Sequence, residues 1–163
     1  MPSPSLEAQI GAALIKQQLT LVTAESCTGG LISHRLTNVP GSSTYFLGGI
    51  VAYAYDVKEH VLGVTHNTLY NHGAVSKETA LEMAHGARRV LGADIAIAVT
   101  GIAGPGGGLP DKPVGLTWIA ISTREGELAQ QFIWQKDREG NKSDSAEAAL
   151  KMVWDYLQRS PTP

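Results

Sequence analysis

The sequence predicts an α/β protein, a single-domain three-layer α/β/α arrangement built on a mixed β-sheet. Three observations carry this reading. Short apolar runs at 20–24 and 94–100 have the length and composition of buried strands. Between and around them, segments of helical periodicity alternate with glycine-rich breaks, the pattern of a sheet covered by helices on both faces. Two strand-like segments, 114–123 and 127–135, flank Glu125-Gly126 as an antiparallel hairpin, which makes the sheet mixed.

The first helix is expected over residues 5–18, where Leu6, Ile10, Ala13 and Leu14 share one face. The strand at 20–24 runs into Glu25-Ser26-Cys27-Thr28-Gly29-Gly30, and helical spacing resumes over 31–36, giving a strand–loop–helix unit. Pro40-Gly41-Ser42-Ser43 is turn chemistry. After it, residues 45–55 are rich in β-branched and aromatic side chains around Gly48-Gly49, a strand with a bulge or close backbone approach. Short helices follow at 56–62 and 67–71. A longer one is expected at 77–91, with Ser76 as its N-cap, Glu78 in its first turn and Gly92 as its stop. Beyond the strand at 94–100, Gly101 to Gly108 carries too few side chains to hold regular structure and reads as the longest loop. The last helix is expected over 144–158, with Arg138 in a polar turn ahead of it. No repeat or linker divides the chain. The domain is placed at 5–159, with 1–4 and 160–163 as flexible termini.

Composition narrows the function. The chain has 163 residues, 43% hydrophobic and 17% charged, with a formal charge of −2 and no basic stripe, so a nucleic-acid partner is not expected. Cys27 is the single cysteine, which rules out an internal disulfide and fits a reducing, cytoplasmic setting. No apolar run approaches the roughly 18 residues of a membrane span. The five histidines show no metal-ligand pairing, and the P-loop, dinucleotide and nucleophile-elbow motifs are absent. Neither a metal nor another cofactor is expected.

Hydroxyls, two glycine-rich loops and a few cations remain, a set that suits hydrolysis of an amide or ester. Ser26, Ser42, Ser43 and Thr100 are candidate nucleophiles because each lies at or beside a strand–loop junction. Cys27 reads as a packed residue. A base without histidine calls for a lysine whose burial lowers its pKa, and Lys58, which follows a strand, is the candidate. Thr28-Gly29-Gly30 at a helix start and the loop 101–108 could each hold an anion with backbone amides, and Arg138 could add a bidentate contact.

Six segments together resemble the CinA C-terminal domain family: Ala24 to Gly30, Gly41-Ser42-Ser43, Tyr53 to Lys58, His72 to Ser76, Thr100 to Pro105 and Lys112 to Gly115. The likeness runs from about residue 6 to residue 157. It implies a stand-alone nicotinamide-nucleotide amidase, which converts nicotinamide mononucleotide to nicotinic acid mononucleotide and ammonia in bacterial salvage of pyridine nucleotides. By the same resemblance the Ser/Lys dyad falls on Ser43 and Lys58, Tyr53 and Thr100 line the active site, and Arg138 lies near the substrate phosphate. Glu25, Ser26, Thr28, Gly29 and Gly30, with Gly101 and Gly104, would cradle the nucleotide and the oxyanion. A homo-oligomer is the family-level expectation. A non-catalytic nucleotide-binding module, or an amidase for another nucleotide amide, are the alternative functions.

Overall fold

The computed structural model describes residues 2–159. The flexible ends expected at residue 1 and at 160–163 lie outside the described residues, while Pro2, Ser3 and Pro4 are exposed and without regular structure. In chain order the elements are α1 (Leu6–Gln17), β1 (Leu21–Glu25), α2 (Leu31–Thr37), a 3-10 turn (Ser42–Thr44), β2 (Phe46–Val51), α3 (Tyr55–His60), α4 (His66–His72), α5 (Lys77–Leu91), β3 (Ile95–Gly101), β4 (Leu116–Ser122), β5 (Glu127–Ile133) and α6 (Arg138–Arg159).

The five strands form one mixed sheet in the order β2-β1-β3-β4-β5. β1 runs parallel to both β2 and β3, whereas β3, β4 and β5 are joined antiparallel. Helices α1, α2 and α6 pack one face around Ile10, Leu14, Ile32, Ile97, Ile119 and Leu150. Helix α5 covers the other face, where Val22, Ala24, Ala80, Met83, Ala84 and Ala98 meet. Because both faces are covered, β1 and nearly all of β3 are buried along their length, without the alternation of a half-exposed strand.

Local sequence accounts for most boundaries. Ser5 caps α1 by accepting the Ala8 N–H, and Ser76 caps α5 by accepting that of Thr79. The bulge expected near Gly48-Gly49 is present: Leu21 pairs with Phe46 and Val22 with Gly48, so Leu47 is the extra residue. One expectation needs correction. The last helix starts at Arg138, six residues ahead of the predicted start, so Arg138 stands in the first turn of α6 and not in a loop. A local cap at Asp137 and a tertiary contact from Asn141 together override the weak helical preference of Gly140 and Asn141. Asp137 accepts the Gly140 N–H, and the Asn141 amide donates to the carbonyl of Ala103.

Gly86, in the middle of α5, shows how closely that helix approaches its neighbour. A Cβ at this position would lie 1.8 Å from the carbonyl oxygen of Leu62. Replacing a helix-interior glycine by alanine normally stabilises by about 1 kcal/mol. Here the sign reverses, and Gly86→Ala is expected to cost about 2–4 kcal/mol through forced displacement of backbone. Equilibrium urea unfolding measures this, and an unchanged or raised midpoint would show that the Leu62 segment yields freely.

Candidate active site

The connection from β1 to β2 passes over one face of the sheet, through α2, and that from β2 to β3 over the other, through α5. Strand order therefore reverses at β1, and the chain leaves the carboxyl ends of β1 and β2 toward opposite faces. Such a reversal opens a crevice beyond the strand ends, the usual ligand site of an open α/β sheet. The structure has a cleft of about 270 Å³ there, lined by Ser26 and Cys27 after β1, Thr100 and Gly101 at the end of β3 with Ile102 to Gly104 beyond it, Tyr53 after β2, Lys58 from α3, and Arg138 from α6.

Backbone register sets the geometry. Glu25, the last residue of β1, is level with Val51 of β2 and Val99 of β3. The next residues are pinned too: Ser26 N–H donates to the Val99 carbonyl and Ala52 N–H to that of Glu25. From α3, Lys58 turns back beneath these strand ends. Its amine donates to Ser26 Oγ at 3.0 Å, to the Ala52 carbonyl at 2.7 Å and to the Tyr53 carbonyl at 3.2 Å. Only 1% of Lys58 is exposed.

No carboxylate forms an ion pair with this amine among the described residues. Burial therefore dominates and lowers the Lys58 pKa to about 8, with the Cys27 thiol acting weakly in the opposite direction. The three neighbours satisfy either protonation state. An ammonium donates to all three oxygens, whereas a neutral amine donates to the two carbonyls and accepts the Ser26 hydroxyl proton. Cys27 is different. It is 7% exposed, and burial pushes its thiol up to about 12, so it is a packed neutral thiol and not a nucleophile.

The expected pairing of Ser43 with Lys58 is not formed. Ser43 sits in the 3-10 turn before β2, and Lys58 lies beyond the other end of that strand. Six residues of β2 separate the two ends by roughly 20 Å. A strand cannot return its own start to its end, so the serine beside Lys58 comes from the neighbouring parallel strand. Ser26, also a candidate by position, is that serine.

Other expected residues fall into two groups. Thr100, Gly101, Gly104, Tyr53 and Arg138 do line the cleft. Thr100 donates to the Ala74 carbonyl at 2.7 Å and fixes the segment ahead of α5 as a wall. Arg138 donates to the Gly104 carbonyl at 2.7 Å and to the Tyr53 phenol at 3.2 Å, and it has no acidic partner among the described residues. Glu25, Thr28, Gly29 and Gly30 do not line the cleft. Glu25 is fully buried and occupies the start of α2 with its own carboxylate, so this helix end does not present free amides to a substrate anion. Sequence reasoning missed Asn141, Ala74 and Val75, the last two lining the cleft; Asn141 binds the Ala103 carbonyl. For Asn141 the signal was its polarity inside what proves to be a helix.

Among the described residues no cluster of three or more His, Cys, Asp or Glu side chains is arranged to hold a metal ion, and no helix is long and apolar enough to cross a membrane. Comparison with known proteins identifies the family. The CinA C-terminal domain family profile matches residues 3–157. A CinA-like protein of Chloroherpeton thalassium is 50% identical over 159 residues, which cover 95% of this chain and 38% of that protein. The chain thus spans about two-fifths of the length of the curated relatives it matches. Among solved structures, the competence/damage inducible protein CihA of Agrobacterium tumefaciens superimposes with a TM-score of 0.87 at 41% identity, covering 98% of this chain and 99% of that one. A CinA superfamily protein of Klebsiella pneumoniae gives a TM-score of 0.92 at 34% identity, over 95% and 97% of the two chains. This chain belongs to the CinA C-terminal domain family.

Proposed function

We propose that the chain is an amide hydrolase that converts nicotinamide mononucleotide to nicotinic acid mononucleotide and ammonia, with Ser26 as nucleophile and Lys58 as base. The observation that carries this reading is the buried, ion-pair-free Lys58 amine 3.0 Å from Ser26 Oγ at the edge of a cleft. Family membership supports it, and the choice of substrate rests on the resemblance described above.

In the reaction, neutral Lys58 takes the Ser26 hydroxyl proton as Oγ attacks the carboxamide carbon. Backbone N–H groups of the cleft-lining Cys27 and of the loop after β3 hold the tetrahedral oxyanion. Lys58 then delivers its proton to the departing nitrogen, the C–N bond breaks and ammonia leaves. Water, deprotonated by Lys58, attacks the acyl ester and the proton returns to Ser26, releasing the acid. Tyr53 contributes chiefly through its carbonyl, which orients the amine, and its phenol is bound to Arg138.

Arg138 carries a charge that its two neutral oxygen partners do not compensate, and it stands at the cleft rim. A phosphate there gains a charge-assisted contact. Arg138→Ala is accordingly expected to raise KM about 10–100-fold with a smaller change in kcat, a loss of substrate binding more than of transition-state stabilisation. Coupled ammonia detection with nicotinamide mononucleotide, other nucleotide amides and free nicotinamide tests the function. No release from nicotinamide mononucleotide overturns it, and release from another nucleotide amide alone reassigns the substrate.

A further inference from the structure

We infer that Glu25 is the positioning residue of the proposed nucleophile, holding the turn that carries Ser26 and not the substrate. The inference rests on the Ser26 reading above. Glu25 ends β1, where pairing with Val51 and Val99 on both sides immobilises its backbone. Its side chain is fully buried and reaches forward to α2. One carboxylate oxygen accepts Thr28 Oγ1 at 2.7 Å and the Ile32 N–H at 2.9 Å. The other accepts the Ser33 N–H at 3.0 Å and Ser33 Oγ at 2.8 Å.

The five residues 26–30 are therefore closed at both ends by one side chain, whose backbone belongs to the sheet and whose carboxylate belongs to α2. Inside the turn only two backbone bonds add to this, Gly29 N–H to the Ser26 carbonyl and Leu31 N–H to that of Thr28. Glycine at 29 and 30 leaves the turn soft, with φ of +60° and +104°. Ser26 N–H is held by the Val99 carbonyl, and beyond it the carboxylate is the main restraint on the turn. Losing it leaves Thr28 Oγ1 and the Ile32 and Ser33 N–H groups without this acceptor, whereas Ser33 Oγ keeps Thr23 Oγ1 at 2.7 Å, and each donor that finds no water costs about 1–3 kcal/mol. The turn can relieve that cost by moving, and Ser26 Oγ then leaves the hydrogen-bond distance to Lys58 on which its activation depends.

A carboxylate that merely capped a helix would affect stability alone, and α4 offers the comparison within the same molecule. There Glu82 accepts the Thr65 N–H at 2.8 Å and Thr68 Oγ1 at 2.6 Å, away from the cleft. The experiment uses the full chain and a fluorophosphonate probe, which phosphonylates an activated serine with loss of fluoride and needs no substrate assignment. Labelling rates and urea midpoints are measured for the wild type, Glu25→Gln, Glu82→Gln and Ser26→Ala. Where ammonia release is measurable, kcat and KM are added.

Both glutamine variants are expected to lose stability, but only Glu25→Gln should label at least tenfold more slowly, with kcat falling and KM within about twofold of the wild type. Folded Glu25→Gln that labels at the wild-type rate overturns the positioning role and leaves the Ser26 reading intact. A wild type that labels no faster than Ser26→Ala overturns both. If Glu25→Gln does not fold, Thr28→Val removes one of the four bonds, and a labelling rate lowered about threefold or more supports the role whereas an unchanged rate overturns it.

Discussion

Ser26→Ala is expected to lower kcat for ammonia release by at least about 10³-fold while substrate still binds, and Ser43→Ala is expected to retain wild-type activity within about twofold. The contrast follows from position. Among the described residues Ser26 Oγ is the one hydroxyl bonded to the Lys58 amine, and removing the nucleophile of a unit that acts together forfeits nearly all the catalysis the unit provides. Ser43 is exposed at the opposite end of the sheet, beyond β2, and no substrate in the cleft reaches it. Steady-state assays paired with equilibrium binding of the uncleaved substrate to Ser26→Ala make the measurement. If Ser43→Ala were inactive and Ser26→Ala active, the proposed assignment of the nucleophile would fall.

The reason Ser43 looked attractive shows where sequence information ends. Residue types and loop positions leave Ser26, Ser42, Ser43 and Thr100 open as partners of Lys58, and the resemblance assigns the dyad to Ser43, the serine just before the strand that Lys58 follows. Proximity along the chain misleads in a parallel sheet. Neighbours across the carboxyl ends of parallel strands are separated by a whole crossover, and here Lys58 lies 32 positions after Ser26. Register decides which serine faces the amine, and register is a tertiary fact: Glu25 is level with Val51 because their strands pair, a relation that neither segment specifies alone.

The fold was more legible because its signals are local. Ser76, Glu78 and Gly92 bracket α5 with cap, charge and stop, and residues 77–91 form the helix as expected. The Glu125-Gly126 turn and the two strands beside it also lie where turn chemistry and periodicity put them. Errors arose where a long-range contact outbids local preference. The first turn of α6 contains Gly140 and Asn141, and it holds because Asn141 and Arg138 fasten the loop after β3 through the carbonyls of Ala103 and Gly104. Glu25 is a second instance. A carboxylate beside Thr28-Gly29-Gly30 reads as part of a ligand loop, yet burial turns it inward as the anion that this helix end receives.

Lys58→Met is expected to lower kcat/KM by at least about 10³-fold and to remove two pH dependences at once. In the wild type, kcat/KM should rise tenfold per pH unit below about 8 and level off above it, because the free enzyme must present Lys58 as a neutral amine. Stability should carry the same group with a definite sign. Lys58 titrates near 8 in the folded chain and near its ordinary value of about 10.4 when unfolded. Between those values the unfolded chain binds the proton and the folded chain does not, so the Lys58 contribution rises with pH across that window, opposed above about 9 by Cys27, whose thiol ionises in the unfolded chain and stays protonated in the fold. Below about 8 both states hold the proton and the contribution is flat, with the folded state penalised for burying the charge. Methionine has a similar length and no titrating group, so urea midpoints of Lys58→Met, set against the wild type from pH 7 to 10, should lack this rise. A wild-type rate profile flat from pH 6 to 9, or a Lys58→Met variant that keeps the rise in stability, would show that the buried amine is neither the base nor the source of the linkage. The two readouts test different claims. The rate reports what the neutral amine does for Ser26, and the unfolding curve reports the cost of holding that amine at 1% exposure with two carbonyl oxygens and a hydroxyl as its partners.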